Sequence, residues 1–405
     1  MQNVIIVSTE TIKPSSATPE SHRTMKLCFL DSLVPFTYSP LIFFYTKSSK
    51  ELGTVRTATQ TGEKFCVDCN DEGAELKEAR VDGDLLAFLE SPPVNQLRKL
   101  LPCDPLCAGA TILKVQINRF SCGGTALGIC MNHVVGDMVS QTHFMNYWAE
   151  ITRGDQGRFT VVAPRFDWRS SFSTSAVRTV FEPPPPEECT PPVTKVFTFE
   201  TERLATLRGH SKEAPATRFE AVMALLWRCF IRVRSLKVET GGTWMAGIVV
   251  NIRDKMEPKA PVGSFGNLVL LADALAHGGV AEPPDRLQLQ RCLRGAIEKM
   301  NSDYLRAVLK SPQILDKSNR AILERALKGY AFGCSSYCNF PLYESDFGWG
   351  KPAWVSSVGG YVMDFVVLID SPSRSGIQAW VNLDEKEMAE FEHDQELLSF
   401  VTKKI

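Results

Sequence analysis

The sequence predicts a two-domain chain of mixed α/β class, its strands and helices forming mixed (α+β) sheets, and three observations carry that prediction. At 405 residues the chain exceeds what one hydrophobic core usually serves. Near its middle, residues 162–192 lose helical periodicity and gather Pro183 to Pro186 and Pro191-Pro192, the composition of a stiff crossover. On both sides of that stretch, β-rich runs give way directly to helical patterns. The expected division is residues 1–180, a linker over 181–194, and residues 195–405.

In the first half, residues 111–133 read TILKVQINRFSCGGTALGICMNH, two β-rich runs around Ser121-Cys122-Gly123-Gly124, which predicts a hairpin. Leu127, Ile129, Met131 and His133 share one parity, so His133 is expected at a strand end on a buried sheet face. After Asp137 the period changes. Ser140, Phe144, Tyr147, Trp148 and Ile151 fall at helical spacing and predict an amphipathic helix with that stripe inward. The pentapeptide His133 to Asp137 is thus a strand-to-helix corner. Such a corner holds a partly desolvated imidazole, whose ordinary pKa of about 6.5 suits proton abstraction from a hydroxyl or amine. His and Asp four positions apart also arise by chance, and a lone histidine at a strand end is often a satisfied core residue. Asp137, opening a helix, either caps it or orients the imidazole, and capping is the favoured reading.

In the second half, VTKVFTFE predicts a strand and Arg218 to Arg234 a helix with apolar residues on more than one face. In SSYCNFPLYESDFGWGKPAWVSS, residues 335–357, Gly348 and Gly350 flank Trp349 and Pro352 follows, so the run from Asp346 is a loop of fixed shape.

Composition excludes several functions. With 45 basic and 46 acidic residues and no basic stripe, nucleic acid is not an expected partner. The longest apolar runs, such as Met245 to Val250, fall far short of the roughly 18 residues that span a bilayer, so no membrane helix is expected. Val4 to Val7 is too short for a secretory signal, and a cytoplasmic location is expected. Cys66 and Cys69 form a C-x-x-C and Cys334 and Cys338 lie near the C-terminal loop, but neither has a second pair at zinc spacing, so the 12 cysteines are read as free buried thiols and no metal is expected. No G-x-G-x-x-G or Walker glycine pattern is present, so any nucleotide cosubstrate is not held by a dinucleotide fold.

The motifs together resemble those of the plant BAHD-type acyltransferases, whose marks are HxxxD in mid-chain and DFGWG near the C-terminus. The similarity runs from about Ile12 to Phe400 and includes FCVDCNDEGAEL, CGGTALGICMNH, NIRDKM, GSFGNL and GIQAWVNLDEKEMAEFE. Within that family the CVDCND, CGG and N-terminal stretches are most similar to the group acting on alkaloids and volatile alcohols. The resemblance implies two similarly sized chloramphenicol acetyltransferase-like domains with a solvent tunnel, and a monomer. It implies acyl-CoA as cosubstrate, acetyl-CoA first, and a small-molecule alcohol, less readily an amine, as acceptor. His133 is then the general base and Asp137 its companion. Ser335 or Ser336 would stabilise the oxyanion; the Trp349 indole is a further candidate donor, although the family favours DFGWG as architecture remote from the chemistry. Thr217, Arg218, Gly266, Asn267 and Tyr337 would contact CoA. Asp346, Gly348 and Gly350 are architectural, and Asp346 is expected to pair with Arg253.

The chain departs from the family pattern at Met138, where glycine is usual, at Lys255 and at Tyr337. Between Tyr45 and Lys64, TKSSKELGTVRTATQTGE stands where relatives carry an amphipathic core helix. A silent relative that binds CoA or a small metabolite is therefore the alternative reading. A serine hydrolase is disfavoured because GCSSY lacks the second glycine of a nucleophile elbow.

Overall fold

The computed structural model describes residues 3–46, 60–61, 66–107, 109, 111–154, 160–168, 172, 191–209, 215–235, 237–238, 242–278, 283–359 and 362–404. The chain forms two compact units. One comprises residues 1–186 with 260–268 and 340–358, the other 187–259, 269–339 and 359–405.

The first unit contains β1 (Val4–Ile12), β2 (Thr24–Lys26), β3 (Tyr38–Tyr45), β4 (Gln60–Thr61), β5 (Cys66–Cys69), β6 (Ala74–Val81), α1 (Leu85–Glu90), β7 (Leu113–Phe120), β8 (Thr125–Asn132) and α2 (Met138–Arg153). The second continues with β9 (Val193–Phe199), α3 (Thr201–Arg208), α4 (Arg218–Arg234), β10 (Thr243–Asn251), β11 (Val269–His277), α5 (Arg286–Lys299), α6 (Ser302–Lys310), α7 (Ile314–Leu327) and β12 (Ala331–Ser336). The chain returns to the first unit for β13 (Trp354–Ser356). It ends in the second with β14 (Phe365–Asp370), β15 (Ile377–Leu383), α8 (Glu385–Phe391), α9 (Gln395–Phe400) and β16 (Lys403–Lys404). Among the described residues no helix is long and apolar enough to cross a membrane.

The main sheet of the first unit runs β1-β6-β7-β8-β3-β13, and β2-β5-β4 form a small second sheet. The expected hairpin is β7 and β8, closed over residues 121–124. Every residue of β3 and β8 is buried, so both faces of the sheet centre are covered, not only the face of His133's parity. Helix α2 is rotated from its expected phase. Met138, Gln141, Thr142, Met145, Trp148 and Ala149 face inward while Ile151 is 48% exposed. Polar residues contribute to the rotation: Asn146 and Glu150 are buried because each holds internal hydrogen bonds, which an apolar count cannot register.

The second unit's sheet runs β11-β10-β12-β14-β15-β9-β16, parallel at β10–β12 and β12–β14 and antiparallel elsewhere. Helix α4 matches its expected span. Phe230 of α4 stacks on Phe332 of β12 at 4.6 Å, which places the helix against one face of the sheet.

Several boundaries differ from the sequence reading. The DFGWG loop and the Gly266-Asn267 turn, expected within 195–405, belong to the first unit, because β13 extends the edge of β3 and carries the loop with it. Residues 181–190 of the expected linker lie outside the described residues, and Val193 and Thr194 already belong to β9. The segment where relatives carry a further helix also lies outside them, apart from Thr46 and the two residues of β4. The described cysteines are free, but only Cys28, Cys130, Cys229 and Cys334 are buried, and Cys122 is exposed.

Candidate active site

His133 stands where β8 becomes a single turn of 3-10 helix, His133–Val135. Asn132 caps that turn by accepting from Val134 N at 3.1 Å. The main-chain N–H of His133 donates to Thr37 O at 2.8 Å, which ties the corner to the start of β3. The residue is half-buried, yet its Nδ1 is closed off from solvent and has no hydrogen-bond partner among the described residues. Burial holds the imidazole pKa below its ordinary value of 6.5; its own carbonyl, Asp137, Asn267 and Asp31 pull the other way without prevailing. The ring is therefore neutral at pH 7 and able to take a proton.

Asp137 is the N-cap of α2. Its Oδ1 accepts from Ser140 N and Ser140 Oγ, both at 3.0 Å, and Oδ2 accepts from Leu268 N at 3.0 Å. Its carboxylate thus fixes the helix start and the 266–268 turn, in line with the capping reading.

Gly266 and Asn267 are placed otherwise than the resemblance implied. Asn267 is 0% exposed and its Nδ2 donates to His133 O at 2.9 Å, Val134 O at 3.1 Å and Asp31 Oδ1 at 3.1 Å. Gly266 exchanges bonds with Ser140 Oγ on both its N and its O, at 2.9 Å each. The hydrogen bonds given by Asn267 and Gly266 go to the histidine turn, Asp31 and Ser140. Asp31, 1% exposed, was missed: its Oδ2 holds Cys28 N at 3.0 Å while Oδ1 holds Asn267. The signal was present, a carboxylate following the apolar run Phe29-Leu30.

The DFGWG loop is built by its own residues. Asp346 Oδ1 accepts from Gly348 N at 2.8 Å and Gly350 N at 2.9 Å, and both glycines have φ of 89°, a region closed to most side chains. Trp349 packs edge-on to Tyr45 at 5.2 Å, and Phe347 edge-on to Trp148 at 4.9 Å. Tyr45 pairs with Thr125, at the end of the β3–β8 ladder opposite the Tyr38–Asn132 pair beside His133. Seven residues of strand separate the two ends, about 23 Å at a rise of roughly 3.3 Å per residue. Trp349 thus stands beside the end of the ladder away from His133.

In the second unit Thr217 caps α4 in a capping box with Glu220, so its hydroxyl oxygen is already an acceptor for Glu220 N at 3.1 Å. Arg218, the first residue of α4, donates to Asn339 Oδ1 at 2.7 Å, Asp370 Oδ1 at 3.0 Å and Ser375 O at 3.3 Å. Ser335 and Ser336 end β12 and, as neighbours in a strand, point to opposite faces. Ser336 shares the parity of Phe332 and Cys334 and faces the α4 side; Ser335 and the half-buried Tyr337 have the other parity. Arg253 donates to Asn251 Oδ1 at 3.2 Å. Its expected partner Asp346 belongs to the other unit.

A family model described as the Transferase family matches residues 52–398. The chain is 30% identical to stemmadenine O-acetyltransferase of Catharanthus roseus over 423 residues, with 96% of each chain covered. It is 31% identical to limonoid 21-O-acetyltransferase of Melia azedarach, covering 99% of this chain and 98% of that one. Among solved structures it is similar to the crystal structure of vinorine synthase, with a TM-score of 0.80 and 28% identity over 98% of both chains. The mixed sheets described above are thus those of the chloramphenicol acetyltransferase-like fold. A family model across most of the chain, full-length relatives and a shared fold agree: this chain belongs to the Transferase family, the BAHD-type acyltransferases.

Proposed function

We propose that the chain is a CoA-dependent O-acyltransferase that moves an acyl group, acetyl first, from the thioester to a hydroxyl of a plant specialised metabolite of the alkaloid or limonoid kind. One observation carries the reading: a neutral, desolvated His133 whose main chain is clamped at N by Thr37 and at O by Asn267. The names of the full-length relatives, both O-acetyltransferases, support the chemistry.

In the proposed reaction His133 removes the proton from the acceptor hydroxyl as its oxygen attacks the thioester carbonyl. The tetrahedral intermediate collapses, and the same imidazole protonates the departing CoA thiolate. No covalent enzyme intermediate forms. Ser335 is the preferred oxyanion donor over Ser336, because Ser336 has the parity of the side chains packed on α4. Arg218 at the α4 N-terminus, with Thr217 and Tyr337 near it in the second unit, is assigned to CoA, since a helix start and a guanidinium both favour phosphate. The family resemblance extends the proposal to a monomer, and the cytoplasm is its proposed compartment.

The test is thiol release from acetyl-CoA against a panel of alkaloid, limonoid and simple alcohols, with mass spectrometry of the products. Wild type should yield an acetylated product that His133→Ala does not, and Ser335→Ala should lose far more rate than Ser336→Ala. Thiol release that survives His133→Ala overturns the assignment of the base.

A further inference from the structure

Three cysteines of the first unit lie on elements bonded to the start of β3. Tyr38 N donates to Pro105 O, between Cys103 and Cys107, Cys130 of β8 is opposite Pro40 of β3, and Lys114 Nζ stands 5.9 Å from the Tyr38 ring centroid. Cys130 Sγ is 3.9 Å from Cys103 O, and Cys103 and Cys107 sit four residues apart on one turn. Cys103 and Cys107 are half-buried, whereas Cys130 is fully buried within β8. The intervening turn is fixed by Cys107 N donating to Asp104 O at 3.0 Å and Leu106 N to Asp104 Oδ1 at 2.9 Å.

This turn reaches the histidine's main chain through the Thr37–Tyr38 amide. Pro105 O, midway between the two cysteines, accepts from Tyr38 N at 2.9 Å, and Thr37 O accepts from His133 N at 2.8 Å. The C=O of Thr37 and the N–H of Tyr38 belong to one planar peptide unit, which moves as a rigid plate. A displacement of Pro105 therefore tilts the plate that holds the main chain of His133.

We propose that Cys103 and Cys107 are a reversible thiol modification site, closing to a disulfide with a small-molecule disulfide such as oxidised glutathione, and that closure is transmitted to His133 through the Thr37–Tyr38 amide. Cys103 is the attacking sulfur. Its thiolate is favoured by hydrogen bonds from Cys130 and Cys107 and by Lys114, against burial and Glu75, while burial pushes Cys107 up to about 11 and keeps it a thiol until the second step. The Cys103 thiolate attacks one sulfur of the glutathione disulfide, the S–S bond breaks, and one glutathione leaves and takes up a proton. Cys107 then loses its proton to solvent as its sulfur attacks Cys103, expelling the second glutathione. Two protein thiols and one small disulfide become one protein disulfide and two small thiols. Cys130, at the centre of a paired strand, serves as a hydrogen-bond donor rather than a resolving thiol.

The coupling rests on the proposed role of His133, so the test reads the two steps separately. The full chain carrying Cys122→Ser, which removes the exposed thiol, is incubated with oxidised glutathione and mapped by mass spectrometry without reduction. A Cys103–Cys107 bridge that dithiothreitol reverses is expected. In Cys107→Ser glutathione should remain on Cys103, and in Cys103→Ser neither product should form. Oxidation should lower acetyl transfer about tenfold or more, as small misplacements of a catalytic group do. It should also change the rate at which diethyl pyrocarbonate modifies His133, a readout that holds even if the transfer reaction has been misassigned. Modification confined to other cysteines overturns the site. A Cys103–Cys107 bridge that leaves both the transfer rate and the His133 modification rate unchanged overturns the coupling.

Discussion

The side-chain amide of Asn267 donates to the main-chain oxygen of His133 at 2.9 Å and to Asp31 Oδ1 at 3.1 Å, so one buried amide joins the histidine turn to a buried carboxylate. Asn267→Ala removes the donor and leaves the oxygens of His133, Val134 and Asp31 short of a partner, at about 1–3 kcal/mol for each group left unsatisfied. The variant should melt several degrees lower, and its remaining folded fraction should lose kcat with little change in KM for acetyl-CoA. Circular dichroism melts and initial rates on the same preparation measure both. A KM increase with kcat preserved would return Asn267 to the CoA site.

The depressed pKa of His133 fixes the direction of its pH dependence. General-base action needs the neutral ring, so kcat/KM should fall as pH drops through a value below 6.5, leaving the enzyme fully active at pH 7. The stability effect has the same direction: below about 6.5 an unfolded histidine binds a proton that the folded one resists, so this group's contribution to stability falls with decreasing pH. A rate profile from pH 5 to 8 tests the first statement. An acidic limb centred above 6.5 would contradict the burial that produces the shift.

Asp137 and His133 should separate cleanly by measurement. His133→Ala removes the base and should cost 10² to 10⁴ in rate, on the order expected for proton transfer, with the melting temperature nearly unchanged. Asp137→Ala removes the acceptor for Ser140 N, Ser140 Oγ and Leu268 N, and should cost about 1–3 kcal/mol in stability. Asp137→Asn keeps an acceptor oxygen and should recover most of that loss. If Asp137→Asn is as inactive as His133→Ala while melting like wild type, the carboxylate acts on the imidazole rather than as a cap.

These contrasts mark what a sequence can disclose. The hairpin, the strand-to-helix corner and helix α4 follow from patterns within some twenty consecutive residues, and each formed where its period placed it. The partners of His133 were not legible as such. Asp31 and Asn267 are 236 residues apart, and nothing local distinguishes them from a turn carboxylate and a loop amide. The phase of α2 failed for a related reason: Asn146 and Glu150 turn inward to form hydrogen bonds, so the buried face includes polar positions that an apolar count leaves out. The resemblance located the motifs; it gave Gly266 and Asn267 to CoA and left Trp349 between the intermediate and the architecture of its loop, whereas in the structure all three are bonded or packed within the first unit.

Trp349 gives the sharpest test of that last distinction. Its ring is buried against Tyr45 and Phe347, and the Tyr45 hydroxyl donates to Ser345 O at 2.7 Å, so indole, phenol and loop stand or fall together. Trp349→Ala leaves a large cavity there and should cost about 3–5 kcal/mol, lowering the yield of folded protein and the melting temperature together. Trp349→Phe keeps the edge-on packing but removes the N–H, and should retain near wild-type kcat at temperatures where it is folded. With the reacting centre about 23 Å along the strand, no donor is lost there. A Trp349→Phe variant that melts like wild type but loses a hundredfold in kcat would place the indole N–H in the chemistry and refute its architectural role.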